Sequence, residues 1–77
     1  MADIQNIRKE INEIDSKIAK LLKKRLKKVF EIGKIKKLKN LSITDKKREE
    51  KILSSLETDF EKEIFKKILT ESRKIQI

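Results

Sequence analysis

The feature that most constrains this chain is a long, proline-free stretch near its N-terminus with a regular apolar repeat. Apolar residues recur there at alternating spacings of three and four, at Ile4, Ile7, Ile11, Ile14, Ile18 and Leu21. This spacing places them on one face of an α-helix. Asp3 can cap the start of the helix and Asn40 suits a left-handed cap at its end, so one helix is predicted over residues 3–39.

Two shorter helices are predicted in the rest of the chain. The second can be capped by Thr44 or Asp45 and has an apolar stripe typical of a helix over about 44–56. A capping-box pattern begins at Thr58, which predicts a third helix over about 59–76. The predicted fold is therefore all-α, with one long N-terminal helix and two shorter ones.

The length of the first helix bears on the oligomeric state. A helix of about 37 residues is about 55 Å long, whereas a compact globule of 77 residues is about 30 Å across. The helix must protrude from a monomer and expose its apolar face. We therefore expect a single domain over 1–77 that forms a homodimer, in which two copies of the long helix cover one another.

Composition limits the chemistry that the chain can perform. It contains no cysteine and no histidine, which excludes disulfides, thiolate chemistry, imidazole bases and the usual zinc sites. No cofactor or metal is expected. The sequence has no apolar run typical of a signal peptide or a transmembrane helix, so we expect a cytoplasmic protein without a membrane partner.

Polar residues interrupt the apolar face of every predicted helix. Arg25 stands where the first repeat requires an apolar side chain, and a buried guanidinium needs an anion. Lys36 lies about three turns further on and projects along nearly the same line. Arg8 lies about 26 Å from Arg25 along the axis and on another face, so the two cannot meet within one chain. In the second and third helices the interruptions are Asp45, Arg48, Glu49, Ser72 and Gln76.

The interruptions in the second and third helices also have simpler explanations. Asp45 can complement the helix dipole, the heads of Arg48 and Glu49 can reach solvent, and Ser72 and Gln76 can belong to a frayed terminal turn. The use of arginine favours a binding site over these explanations. A chain with 18 lysines has only four arginines, at positions 8, 25, 48 and 73. Such usage indicates that the fork geometry of guanidinium is needed there.

Gly33 lies inside the first predicted helix, where glycine is about 1 kcal/mol less favourable than alanine. Its position indicates either the close approach of another backbone or ligand, or tight packing between helices. The sequence leaves both explanations open.

In order and approximate spacing, the polar positions resemble the active site of the all-helical class of chorismate mutases. The matching stretches are 7–11 with 14–15, 22–25, 31–34 with Lys36, 45–49, and 71–72 with Gln76. The resemblance covers almost the whole chain. It implies an intertwined homodimer that rearranges chorismate to prephenate in the shikimate branch toward Phe and Tyr, with active sites shared between chains and no cofactor.

The resemblance also implies roles for the residues that bind the substrate carboxylates. Arg25 and the partner subunit's Arg8 would hold the two carboxylates. Arg48 would support the site, and Ser72 would add a hydroxyl. Bidentate binding explains why these cations are arginines in a lysine-rich chain.

The remaining implied roles concern the ether oxygen and the ring hydroxyl of chorismate. Lys36 and Gln76 would donate to the ether oxygen, while Glu49 and the backbone near Asp45 would hold the hydroxyl. The chain departs from the family in its short connection between the second and third helices. Gln76 is also followed by a single residue, and because terminal turns fray we expect it to be loosely held.

Three other functions fit parts of the pattern. An isochorismate-pyruvate lyase would share the helical dimer and its basic residues but would eliminate pyruvate. A net charge of +9 suits a nucleic-acid-binding dimer, although the lysines are spread among acidic residues and nucleic acid is not the expected partner. A purely structural coiled coil is disfavoured because Arg25 and Lys28 interrupt the apolar seam.

Overall fold

The described part of the chain consists of three α-helices in an elongated arrangement. A computed structural model describes residues 3–76, with α1 over Ile4–Leu38, α2 over Lys46–Ser54 and α3 over Asp59–Ile75. These residues contain no strand, and the predicted all-α class is confirmed. The molecule measures 57 × 24 × 15 Å, and α1 sets the long dimension.

Side-chain caps explain where the helices begin. The Asp3 carboxylate accepts hydrogen bonds from backbone N–H groups in the first turn of α1. Asp45 accepts from the Arg48 N–H at 3.0 Å, so α2 begins at residue 46 rather than at the predicted 44. Thr58 accepts from the Glu61 N–H at 3.1 Å and caps α3. Each cap satisfies a donor that a helix leaves free at its N-terminus.

The end of α1 turns the chain back toward its own last turn. Asn40 has a φ of 55°, the left-handed conformation predicted for it. The Leu41 N–H then donates to the Lys36 carbonyl at 2.8 Å, as in a Schellman motif. This turn brings the α1–α2 loop beside Lys36.

The core is small and lies where α3 packs against both α1 and α2. Among residues 3–76 the buried positions are Val29 and Gly33 of α1 and Leu69 of α3. The N-terminal half of α1 has an exposed apolar seam, with Ile4 65% and Leu21 62% accessible. No helix in the described part of the chain is long and apolar enough to cross a membrane.

Candidate active site

A cleft of about 190 Å³ lies between the three helices and collects side chains from each of them. Seven of the eight predicted site residues line this cleft: Arg25, Lys36, Asp45, Arg48, Glu49, Ser72 and Gln76. The eighth, Arg8, lies on the exposed N-terminal half of α1 and outside the cleft. The fold therefore brings together polar positions that are separated by up to 51 residues in the sequence.

Arg25 of α1 forms a side-chain hydrogen bond to α3. Its Nη1 donates to the Ser72 hydroxyl oxygen, and that hydroxyl donates to the Ile68 carbonyl at 2.7 Å. A serine hydroxyl has one hydrogen, so Ser72 acts as an acceptor toward Arg25. Ser72 thus orients the guanidinium and has no second proton to donate to a ligand.

The electrostatics around Arg25 favour an anion. Burial lowers the pKa of Arg25, and repulsion from the nearby Arg48 guanidinium lowers it further. Within residues 3–76, no carboxylate forms an ion pair with either guanidinium. Two facing cations, one of them partly desolvated, are stabilised by a ligand that brings negative charge.

Lys36 and Asp45 lie at the edge of the cleft formed by the α1–α2 loop. The Lys36 ammonium donates to the Ile43 carbonyl at 2.8 Å. An ammonium has three hydrogens, so this contact fixes the lysine and still leaves donors for a ligand. One oxygen of the Asp45 carboxylate accepts from the N-terminus of α2, which makes its side chain a structural cap.

Arg73 is a cleft residue whose place in the site was not predicted. Its Nη1 lies 2.5 Å from Glu49 Oε1, which joins α3 to α2, and its Nη2 donates to the Thr70 hydroxyl at 3.3 Å. Two signals were present in the sequence. Arg73 is one of only four arginines, and it follows Leu69 by four residues, so it lies on the core-facing side of α3.

Gln76 is the C-cap of α3 and is partly buried. Its Nε2 donates to the Ser72 carbonyl at 3.4 Å, a long contact, while its Oε1 is buried without a hydrogen-bond partner among the described residues. The side chain packs against Gly33 of α1. Tight helix packing thus accounts for Gly33, and Gln76 lies against the fold rather than in solvent.

Beside this cleft runs a second, apolar groove of about 370 Å³ between α1 and α3. Arg25 and Ser72 line both spaces, so the polar cleft continues directly into the groove. Its apolar lining consists of Leu22, Leu26, Val29, Ile64, Ile68 and Ile75.

Three helices around a cationic cleft define a small all-α protein whose cleft has a charge that suits an anionic ligand. Residues 7–77 match the family model of chorismate mutase type II, and the chain belongs to that family. The solved structure of a conserved hypothetical protein from Pyrococcus furiosus is similar, with 49% sequence identity, a TM-score of 0.89 and coverage of 96% of this chain and 95% of that one. No curated protein matches the chain. The resemblance inferred from the sequence is confirmed at the level of the family.

Proposed function

We propose that this protein is a chorismate mutase, which converts chorismate to prephenate by a Claisen rearrangement in the biosynthesis of Phe and Tyr. The main support is the cleft between three helices, where two guanidiniums have no carboxylate partner among residues 3–76 and an ammonium and a carboxamide lie nearby. The rearrangement is unimolecular and pericyclic. It needs restraint of a compact conformer and stabilisation of charge on the ether oxygen, both of which these groups supply.

Arg25 and Arg48 would bind carboxylate in this mechanism. Burial and, to a smaller extent, repulsion from Arg48 lower the pKa of Arg25, and a bound anion relieves the repulsion. We assign Ser72 to positioning Arg25, because its hydroxyl proton is used by the Ile68 carbonyl. Chorismate has two carboxylates, and the second would be bound by the partner subunit's Arg8.

Lys36 and Gln76 would stabilise the breaking ether bond. Negative charge grows on the ether oxygen only as the transition state forms, so donors there lower the barrier more than they strengthen binding. Lys36 keeps ammonium hydrogens free while it is held by Ile43. Among residues 3–76 the Gln76 NH₂ group makes one long hydrogen bond, to the Ser72 carbonyl, so one of its hydrogens is available to the ether oxygen.

Glu49 would accept a hydrogen bond from the ring hydroxyl. Its Oε1 is occupied by Arg73, and its Oε2 has no hydrogen bond within residues 3–76. The Asp45 side chain caps α2, so we assign the hydroxyl to the backbone near Asp45 rather than to that carboxylate. Glu49 also offsets part of the cationic charge of the cleft.

The proposal includes a homodimer with shared sites. The apolar seam of α1 is exposed in one chain, and a second copy running antiparallel would cover it. Arg8 lies on this half of α1, about 26 Å along the helix from Arg25. An antiparallel partner would therefore bring its own Arg8 toward the cleft and complete the set of cations.

The test is to incubate the purified protein with chorismate and follow the loss of chorismate absorbance. We expect prephenate as the product, identified by chromatography, and inhibition by a bicyclic mimic of the transition state. A parallel incubation with isochorismate tests the lyase, which would release pyruvate. Absence of turnover of chorismate by the folded protein would overturn the proposal. Salt-sensitive binding of DNA or RNA in its place would support the nucleic-acid alternative.

A further inference from the structure

Gly33 lies directly beneath the last turn of α3. It is the single glycine in the chain, it is buried within α1, and its backbone does not have a positive φ. A helix interior normally favours alanine over glycine, so backbone conformation does not explain the choice. The lack of space for a side chain explains the glycine, because a Cβ at this position would lie 3.3 Å from Gln76 Cγ and 3.4 Å from Gln76 Cα.

The hydrogen bonds of Gln76 do little to fix its side chain. The Nε2 bond to Ser72 is 3.4 Å long, and Oε1 has no partner within the described residues. The atoms nearest to the position of a Cβ on Gly33 are Cγ, Cα and Cβ of Gln76. Packing against Gly33 therefore restrains the aliphatic part of the Gln76 side chain, which carries the carboxamide.

The same turn of α1 also supplies Lys36. Gly33 and Lys36 are three residues apart, on neighbouring positions of one helix surface, and both line a pocket with Gln76. The positions of both donors proposed for the ether oxygen therefore depend on one stretch of α1. The lysine belongs to that stretch, and the glutamine rests on it.

We propose that Gly33 is a positioning residue that sets the distance between the Gln76 carboxamide and the cleft. This inference rests on the proposed function of Gln76 as a donor to the ether oxygen. A side chain at residue 33 would displace Gln76 by a few tenths of an ångström. Catalytic donors lose effect on this scale, because stabilisation of a transition state depends on closely defined distances.

The test compares Gly33→Ala with Lys27→Ala, a change at an exposed residue of α1 that lines neither the cleft nor the pockets beside Gln76. Gly33→Ala is expected to lower kcat by about three- to tenfold with little change in KM, while its melting temperature stays at or above that of the unmodified protein because alanine favours the helix. Lys27→Ala is expected to leave kcat and the melting temperature unchanged. Unaltered kcat in a folded Gly33→Ala protein would overturn the inference.

A double-mutant cycle identifies the residue through which Gly33 acts. In a Gln76→Ala background, Gly33→Ala is expected to have no further effect on kcat, because the displaced carboxamide is already absent. An equal loss in both backgrounds would mean that Gly33 acts elsewhere. If Gly33→Ala alone fails to fold, the double variant must fold, because the atom at 3.3 Å has been removed. Failure of both to fold would also overturn the inference.

A measurement without substrate separates this inference from the proposed function. The chain has two glutamines, at positions 5 and 76, so the Gln76 side-chain amide signals can be assigned by their loss in Gln76→Ala. These NMR signals are expected to shift in Gly33→Ala and to stay in place in Lys27→Ala. If chorismate is not turned over, the proposed function fails while the shifts still test the contact. If it is turned over but neither kcat nor the shifts respond to Gly33→Ala, only the inference fails.

Discussion

Arg73 and Glu49 form an ion pair that joins α3 to α2 at the cleft, with 2.5 Å between Nη1 and Oε1. Both side chains are more than half shielded from solvent. The pair uses one carboxylate oxygen of Glu49 and holds the other in place. The relative position of α2 and α3 therefore sets the orientation of Glu49, the proposed acceptor for the ring hydroxyl of the substrate.

Replacing Arg73 with Met is expected to lower kcat/KM by about tenfold, the scale of one hydrogen bond to a charged group. The loss should be mainly in KM, because Glu49 is assigned to the ring hydroxyl, which gains no charge in the transition state. Arg73→Lys should recover part of it. Steady-state kinetics check the result, with Lys74→Met as the control, since Lys74 pairs with Glu71 on the exposed face. If Arg73→Met left kcat/KM unchanged, the ion pair between Arg73 and Glu49 would have no part in the site.

Replacing Arg25 with Leu is expected to lower activity by roughly 10²-fold or more, the scale of losing a charged contact to substrate. The melting temperature should stay the same or rise, because the variant removes a partly buried charge that has no carboxylate partner in the described part of the chain. A pKa lowered by folding means that the charged form costs stability at every pH below that pKa. Arginine stays protonated at ordinary pH, so the stability difference between the variant and the unmodified protein should be constant from about pH 5 to 9.

Unfolding of Arg25→Leu would contradict this assignment and make Arg25 a structural residue. Arg25→Lys provides the matched control for charge. It keeps a cation but loses the planar fork that binds a carboxylate with two hydrogen bonds. Arg25→Lys should therefore fold normally and remain poorly active.

Replacing Lys36 with Met is expected to lower kcat by about 10²-fold with a smaller effect on KM, by analogy with the removal of an oxyanion donor. Gln76→Leu should also affect kcat more than KM, but by a smaller factor, because the carboxamide is neutral and its own hydrogen bond is long. Steady-state kinetics over a range of substrate concentrations, which separate kcat from KM, check both, with the exposed Lys27→Met as the control. Losses confined to KM in both variants would mean that the ether oxygen lies elsewhere in the cleft.

The exposed seam of α1 predicts coupling between folding and association. The melting temperature should rise with protein concentration, because a dimer that is stabilised by its interface obeys mass action. Calorimetry over a wide concentration range and sedimentation equilibrium check this expectation. A folded monomer at micromolar concentration would contradict the shared-site arrangement.

Mixing two inactive variants tests whether each site uses both chains. Arg8→Ala and Arg25→Ala, unfolded and refolded together, should form mixed dimers in half of the cases, and each mixed dimer should contain one complete site. Activity should therefore return to about 25% of that of the unmodified protein. Each variant refolded alone should stay near zero. No recovery, with mixed dimers confirmed by mass spectrometry, would show that Arg8 is not part of a site with the partner's Arg25.

The helices and their caps could be predicted from the sequence because they depend on neighbours within one or two turns. The apolar repeat located α1, and the capping patterns at Asp3 and Thr58 located two helix starts. Prediction was less accurate at α2, which is shorter than expected at both ends. Arginine usage in a lysine-rich chain marked Arg73 as unusual but did not identify its partner.

Contacts between helices were decided by the tertiary structure alone. The sequence aligned Arg25 with Lys36 because both belong to α1, but the contact of Arg25 with Ser72 spans 47 residues and that of Arg73 with Glu49 spans 24. Such contacts depend on the angle at which helices pack and on the path of the loops between them, neither of which is encoded in a local repeat. The packing of Gly33 against Gln76 has the same origin. A glycine in a helix signals that something approaches closely, and only the packed helices determine what that is.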